Sequence, residues 1–202
     1  PAVLQGVLLD LAPVYLTSRT EQLAAAAKLA EYLRESGAEA STIRGNLGVD
    51  PIGAAALAGT PADLSVVAKA NDLAAGFPGV SPLVVDSTIY NSAGAGDVHE
   101  LAYAVATGVE YVRALVDAGV GVDDAFGSLI FRVSATTDQF ATIARLRALR
   151  GLWSRVGEVL GVSEAKRGAV QHAITSLRDI SRDDAYVNIL RGTIACFAAA
   201  AG

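Results

Sequence analysis

Apolar positions along the chain follow two periods in turn. Short aliphatic runs of the kind that suit strands buried on both faces fall at residues 7–12, 83–85, 129–134 and 169–175, with a weaker one at 40–43. Between them the apolar residues recur at helical spacing. The first such stretch covers 21–36, with Leu23, Ala27, Ala30 and Leu33 inward. The second starts at Thr60-Pro61-Ala62-Asp63, where an N-cap, a Pro at the first helical position and an acid near the positive end of the dipole coincide, and carries Leu64, Val67, Ala68 and Leu73. Helices are also predicted after Asp97 (Val98, Leu101, Ala102, Val105, Val109, Val112, Leu115) and Asp138 (Phe140, Ile143, Ala144, Leu146, Trp153, Val156). The last starts at Asp183 or Asp184, with Val187, Leu190, Ile194 and Phe197 inward.

The unit around residues 83–119 is the clearest. Leu83-Val84-Val85 opens a strand after Pro82, and the turn Asn91-Ser92-Ala93-Gly94-Ala95-Gly96 allows a close backbone approach. Asp97 then stands as N-cap with Glu100 three residues on, and Gly119 sits where a helix ends. Strand-then-helix repeats about five times with no hairpin signal, which means an α/β fold with a parallel sheet and helices outside it. Such units build either an open doubly wound sheet or part of a TIM-type (βα)8 barrel. No G-x-G-x-x-G links a strand to a helix and no phosphate-binding P-loop is present, so the pattern leaves both open.

Composition narrows the function classes. Apolar residues make up 52% of the 202, much of it Ala, which favours helix. A net charge of -5, spread along the chain, gives no electrostatic reason to expect nucleic acid. The single Cys196 excludes an internal disulfide, fits a reducing cytoplasm, and reads as a small buried apolar residue. No signal peptide is visible, and no apolar run reaches the ~20 residues of a membrane span. The chain starts at Pro1 and contains no Met, so both ends read as cuts in a longer protein.

Candidate chemistry is sparse. His99, in the first turn of a helix, reads as a surface or interface residue. His172, near the end of a predicted strand, is placed to point at a ligand or to sit satisfied against a neighbour. Neither has a second ligand at metal spacing, so no metal site is expected. No nucleophile elbow is present. Asp10, Asp50 and Asp86 are the carboxylates near strand ends, and Asp86 reads as a structural acceptor. Arg145, Arg147, Arg150 and Arg155 form a basic row whose ordinary reading is a solvated or subunit-facing helix face. These residues amount to a scaffold without a complete catalytic constellation.

Five segments carry a resemblance: YNSAGAGDVHELA from Tyr90, GVEYVRAL from Gly108, DQFATIARLRA from Asp138 with Leu152-Trp153, QHAITS from Gln171, and DAYVNILR from Asp184. In order and spacing they resemble the methylmalonyl-CoA mutase family over nearly the whole chain. The stretch Leu47-Gly48-Val49-Asp50-Pro51-Ile52-Gly53 and the run Cys196-Phe197-Ala198-Ala199 are in the style of the small subunit of heterodimeric bacterial members. The resemblance implies that 1–202 is a single partial barrel domain, with the third to seventh of eight strands. It also implies a C-terminal cobalamin-type domain outside this chain. The holoenzyme would use adenosylcobalamin, with none bound to this chain alone, and the partner would be a catalytic large subunit.

Catalytic members place a His just after the central strand, where this chain has Tyr90-Asn91. They place a Gln where Arg44 stands and an Arg where Ala54 stands. His172 is kept, but the neighbouring Arg and Gln are Val170 and Ile174. The resemblance therefore implies that this chain is not itself catalytic, and that any residual substrate contact falls to Arg44, Asn91 and His172. Two alternatives stand beside it: an active acyl-CoA mutase of altered specificity, and a barrel fragment without autonomous function. Open parallel edges make self-association of the segment an expectation.

Overall fold

The structure, a computed structural model, describes residues 2–202. Its strands are β1 (Val14–Tyr15), β2 (Gly45–Val49), β3 (Val80–Asp86), β4 (Leu129–Ala135) and β5 (Gln171–Thr175). The helices are α1 (Gln22–Glu35), α2 (Pro51–Ala58), α3 (Ser65–Ala74), α4 (Thr88–Ser92), α5 (Asp97–Asp117), α6 (Val122–Gly127), α7 (Gln139–Val159) and α8 (Val187–Ala201). Hydrogen bonding orders the strands β1-β2-β3-β4-β5, with β1–β2, β2–β3 and β4–β5 parallel. Between β3 and β4, the Leu83 N–H donates to the Ser128 carbonyl at 3.1 Å and the Ser87 N–H to the Arg132 carbonyl at 2.9 Å. Equal steps in the same direction on both strands mark that pair as parallel too. A doubly wound sheet reverses its strand order at a switch point. This order never reverses, so the five βα units are those of a partial TIM-type α/β barrel.

The chain divides into two compact units. The first joins the residues up to Val84 with Tyr111–Leu129. Here α1 and α3 pack on β2 and on each other, burying Ala26, Leu29, Ala30 and Leu33 of α1 and Val67 and Ala70 of α3. Strand β2 reads Gly-Asn-Leu-Gly-Val and is buried along its length. Its irregular middle, where the register with β3 shifts, is held by Asn46. The Asn46 Nδ2 donates to the Leu83 carbonyl at 2.8 Å, and its Oδ1 accepts the Gly48 N–H at 2.7 Å. Gly48 has φ +72°, and a Cβ there would run into the Leu16 carbonyl oxygen, so only glycine fits. Asp50 then caps α2 by accepting the Gly53 N–H at 3.0 Å. The Tyr111 hydroxyl donates to that carboxylate and accepts the Ile52 N–H.

The second unit joins Val85–Glu110 with Ile130–Gly202. Phe131 of β4 meets Trp153 of α7 edge-on, with ring centroids 4.9 Å apart. Gly108 of α5 gives that pair room, since a Cβ there would lie 2.9 Å from the Trp153 ring. Because Phe131 faces the helix, Arg132 faces the other side of the sheet. Helix α8 packs on α7 and β5 and buries the small residues Ala195 and Ala198.

Several expectations are corrected. Residues 7–12 form no strand, and Leu8 and Leu11 are exposed. The first strand comes after Pro13, where the Val14 N–H finds the Arg44 carbonyl. Residues 40–43 form no strand, and the strand comes just after them as β2. Helices α2, α4 and α6 are too short to show a period. Val98 and Phe140, each in the first turn of its helix, are exposed rather than inward, and so are Leu190, Ile194 and Phe197, because α8 packs on its neighbours through Ala195 and Ala198. Cys196, expected to be buried, is exposed. Arg145, expected on a solvated row, is buried.

Candidate functional site

Barrel chemistry sits at the C-terminal ends of the strands. In the second unit that end is built by the segments following β3, β4 and β5. After β3, Ser87 enters α4, whose turn buries Asn91, and the loop 93–96 leads into α5. After β5, the chain turns at Ser176 into a 3-10 turn over Leu177–Asp179. Together with Thr136, Thr137 and Asp138 beyond β4, these segments line a cleft of about 310 Å³.

The polar groups of this cleft mostly hold one another. The Ser176 hydroxyl donates to Asn91 Oδ1 at 2.8 Å. The Arg178 guanidinium donates to the carbonyls of Asn91 at 3.2 Å and Ala95 at 3.5 Å. Asp179 accepts the Thr137 N–H at 2.6 Å, and Asp138 caps α7 by accepting the Ala141 N–H at 3.1 Å. Asp97 accepts from Arg145 at 2.6 Å.

Behind the wall lies a buried clamp. Glu100 accepts from Arg145 at 2.7 Å and from the Ser134 N–H at 2.9 Å. The Ser87 hydroxyl lies 3.0 Å from Glu100 Oε1 and 2.9 Å from the Arg132 carbonyl, its one hydrogen shared between them. Arg145 also donates to the Ser134 carbonyl. The first turn of α5 and the body of α7 are thereby tied to the ends of β3 and β4, which fixes where the loop 93–96 ends.

Within the sheet, Asp86, Arg132 and His172 stand on three successive strands. Arg132 pairs with Asp86 at 3.2 Å, and His172 is its cross-strand partner in β5. Burial lowers the His172 pKa below its ordinary value of 6.5, the Arg132 charge adds to the effect, and Asp86 opposes it.

Of the residues singled out from sequence, Asn91 lies on the cleft wall and His172 lies within β5, four positions before Ser176. Arg44 belongs to the first unit, immediately before β2 and exposed, at the end of the strand opposite to where barrel sites form. Sequence reasoning missed Ser176, Arg178, Asp179 and the Glu100–Arg145 pair. Ser176 and Arg178 carried a usable signal, since they directly follow a predicted strand. Glu100 looked like a capping acid and Arg145 like one of a row of arginines, so only packing distinguishes them.

The charges of the cleft decide what it suits. The lining carries three carboxylates, Asp97 (paired with Arg145), Asp138 and Asp179, and one exposed guanidinium, Arg178. To an anionic group this lining offers a single cation, Arg178, which is already engaged with the carbonyls of Asn91 and Ala95. Among the described residues no group of three or more His, Cys, Asp or Glu side chains is placed to hold a metal ion. The lining likewise shows no donor set that fits adenosylcobalamin. No helix among the described residues is long and apolar enough to cross a membrane.

The family model described as methylmalonyl-CoA mutase matches residues 1–202. A methylmalonyl-CoA mutase small subunit of Propionibacterium freudenreichii subsp. shermanii is 54% identical over 201 residues, covering 99% of this chain and 32% of that protein. One of Streptomyces virginiae is 46% identical over 202 residues, covering 98% and 32%. A methylmalonyl-CoA mutase of Escherichia coli (strain K12) is 33% identical over 127 residues, covering 62% and 18%. The chain thus spans about a third of the length of the small subunits it matches.

Proposed function

The chain belongs to the methylmalonyl-CoA mutase family, and from that premise we propose that it is the barrel portion of a small subunit that does no chemistry itself. Its role is to pair with a catalytic large subunit in a cytoplasmic heterodimer that interconverts methylmalonyl-CoA and succinyl-CoA. The names of the relatives support the subunit assignment. Adenosylcobalamin, bound elsewhere in the holoenzyme, would supply the radical, and no step is assigned to residues of this chain.

One observation carries the non-catalytic reading. The polar side chains at the ends of β3 and β5 are engaged with each other, Ser176 with Asn91 and Arg178 with two backbone carbonyls, in an acidic cleft. Catalysis needs groups preorganised toward charge that develops on substrate, and groups satisfied internally give no such stabilisation. Flanking and within β5, Val170 and Ile174 are exposed apolar side chains where the family resemblance calls for an Arg and a Gln. Isotope-labelled methylmalonyl-CoA, incubated with adenosylcobalamin and the full-length chain with and without a large subunit, tests this. Label exchange only when the large subunit is present is expected, and turnover by the chain alone overturns the reading.

A further inference from the structure

The loop 93–96 reads Ala-Gly-Ala-Gly and has no side chain with which to hold its own position. Its internal bonds are short-range: the Gly94 N–H donates to the Asn91 carbonyl and the Ala95 N–H to the Tyr90 carbonyl, both at 2.9 Å. Such a segment, with Ala93, Gly94 and Gly96 exposed, would open at little cost if nothing else restrained it. Two contacts from the far side of the cleft do restrain it.

We propose that Ser176 and Arg178 act as a strap that keeps the α4–α5 loop closed over the cleft. The geometry is that of a two-point fastening. Ser176 is buried, accepts the Arg178 N–H at 3.3 Å and donates to Asn91 Oδ1 at 2.8 Å, so its hydroxyl has one orientation. Arg178 then reaches across, one guanidinium nitrogen donating to the carbonyl of Asn91 in the last turn of α4 and to that of Ala95 within the loop. A guanidinium that satisfies the last carbonyls of a short helix is a familiar form of C-terminal cap. Here it comes from a different strand end, so the cap also closes the cleft. The strap is independent of whether the chain is catalytic.

Hydrogen exchange of the full-length protein, read by mass spectrometry on peptides covering 93–97 and on β4, tests the strap. In Arg178→Ala the loop amides are expected to exchange roughly threefold to tenfold faster, the factor expected from one net hydrogen bond, while β4 stays protected. Arg178→Lys, which keeps the charge but not the planar fork, is expected to fall between the two. Unchanged loop exchange in Arg178→Ala overturns the proposal. If Arg178→Ala also exposes β4, Ser176→Ala decides: faster loop exchange with β4 intact upholds the strap, and unchanged loop exchange rejects it.

Discussion

Glu100 and Arg145 face each other at 2.7 Å with side chains 1% and 2% exposed, 45 residues apart in sequence. A pair so fully desolvated is a weak source of net stability, but breaking it strands a charge in the interior. The Ser134 N–H and the Ser87 hydroxyl complete the coordination of Glu100. Position is what the pair provides: α5 starts where the cleft wall needs it.

Removing one partner is therefore predicted to cost far more than removing both. Arg145→Met alone, or Glu100→Leu alone, should lower the unfolding free energy by about 3–5 kcal/mol, and the double variant should recover most of that loss. Denaturant unfolding of the four proteins, set out as a double-mutant cycle, measures it. Additive single effects would mean that the two charges do not depend on each other.

Gly48 gives a second prediction. Its left-handed backbone and the Leu16 carbonyl beside it leave no place for a side chain, so Gly48→Ala should destabilise the fold by at least about 2 kcal/mol. Gly94 also has positive φ, +105°, but open space around it, so Gly94→Ala should cost less. Thermal unfolding of the two variants ranks them, and an equal or reversed ranking contradicts the close approach described for β2.

These positions also show how much was legible. The central strand β3, β4, and the starts of α5 and α7 could be read because burial, capping and period agree there. Strand β2 could not, because its five residues include two glycines and an asparagine. Its extended form is imposed by the ladders on both sides and by the Asn46 bridge, not by local preference. Helix α8 misled for a different reason. Its period is clear, but the residues it buries are the small Ala195 and Ala198, and hydrophobicity alone points the large ones inward. Of the candidate site, Asn91 was found through the family resemblance, and the structure places it in α4. Ser176 and Arg178 acquire meaning only through the α4–α5 loop, more than 80 residues away.

His172 sets a pH dependence. Its folded pKa lies below its ordinary value of 6.5, mainly through burial. As pH falls below 6.5 the unfolded chain takes up the proton first, so stability declines until the folded pKa is passed and is level above 6.5. His172→Gln should remove this part of the decline. Wild-type and variant unfolding midpoints compared between about pH 5 and 8 test it, and parallel curves would contradict the assignment.

The central claim, a mutase-type barrel without a working grip on substrate, meets its most direct test in a calorimetric titration of the full-length chain, free of any large subunit, with succinyl-CoA. No saturable heat up to about 1 mM ligand, a level corresponding to roughly 4 kcal/mol of binding free energy, is the predicted result. One-to-one binding at micromolar concentration would contradict it.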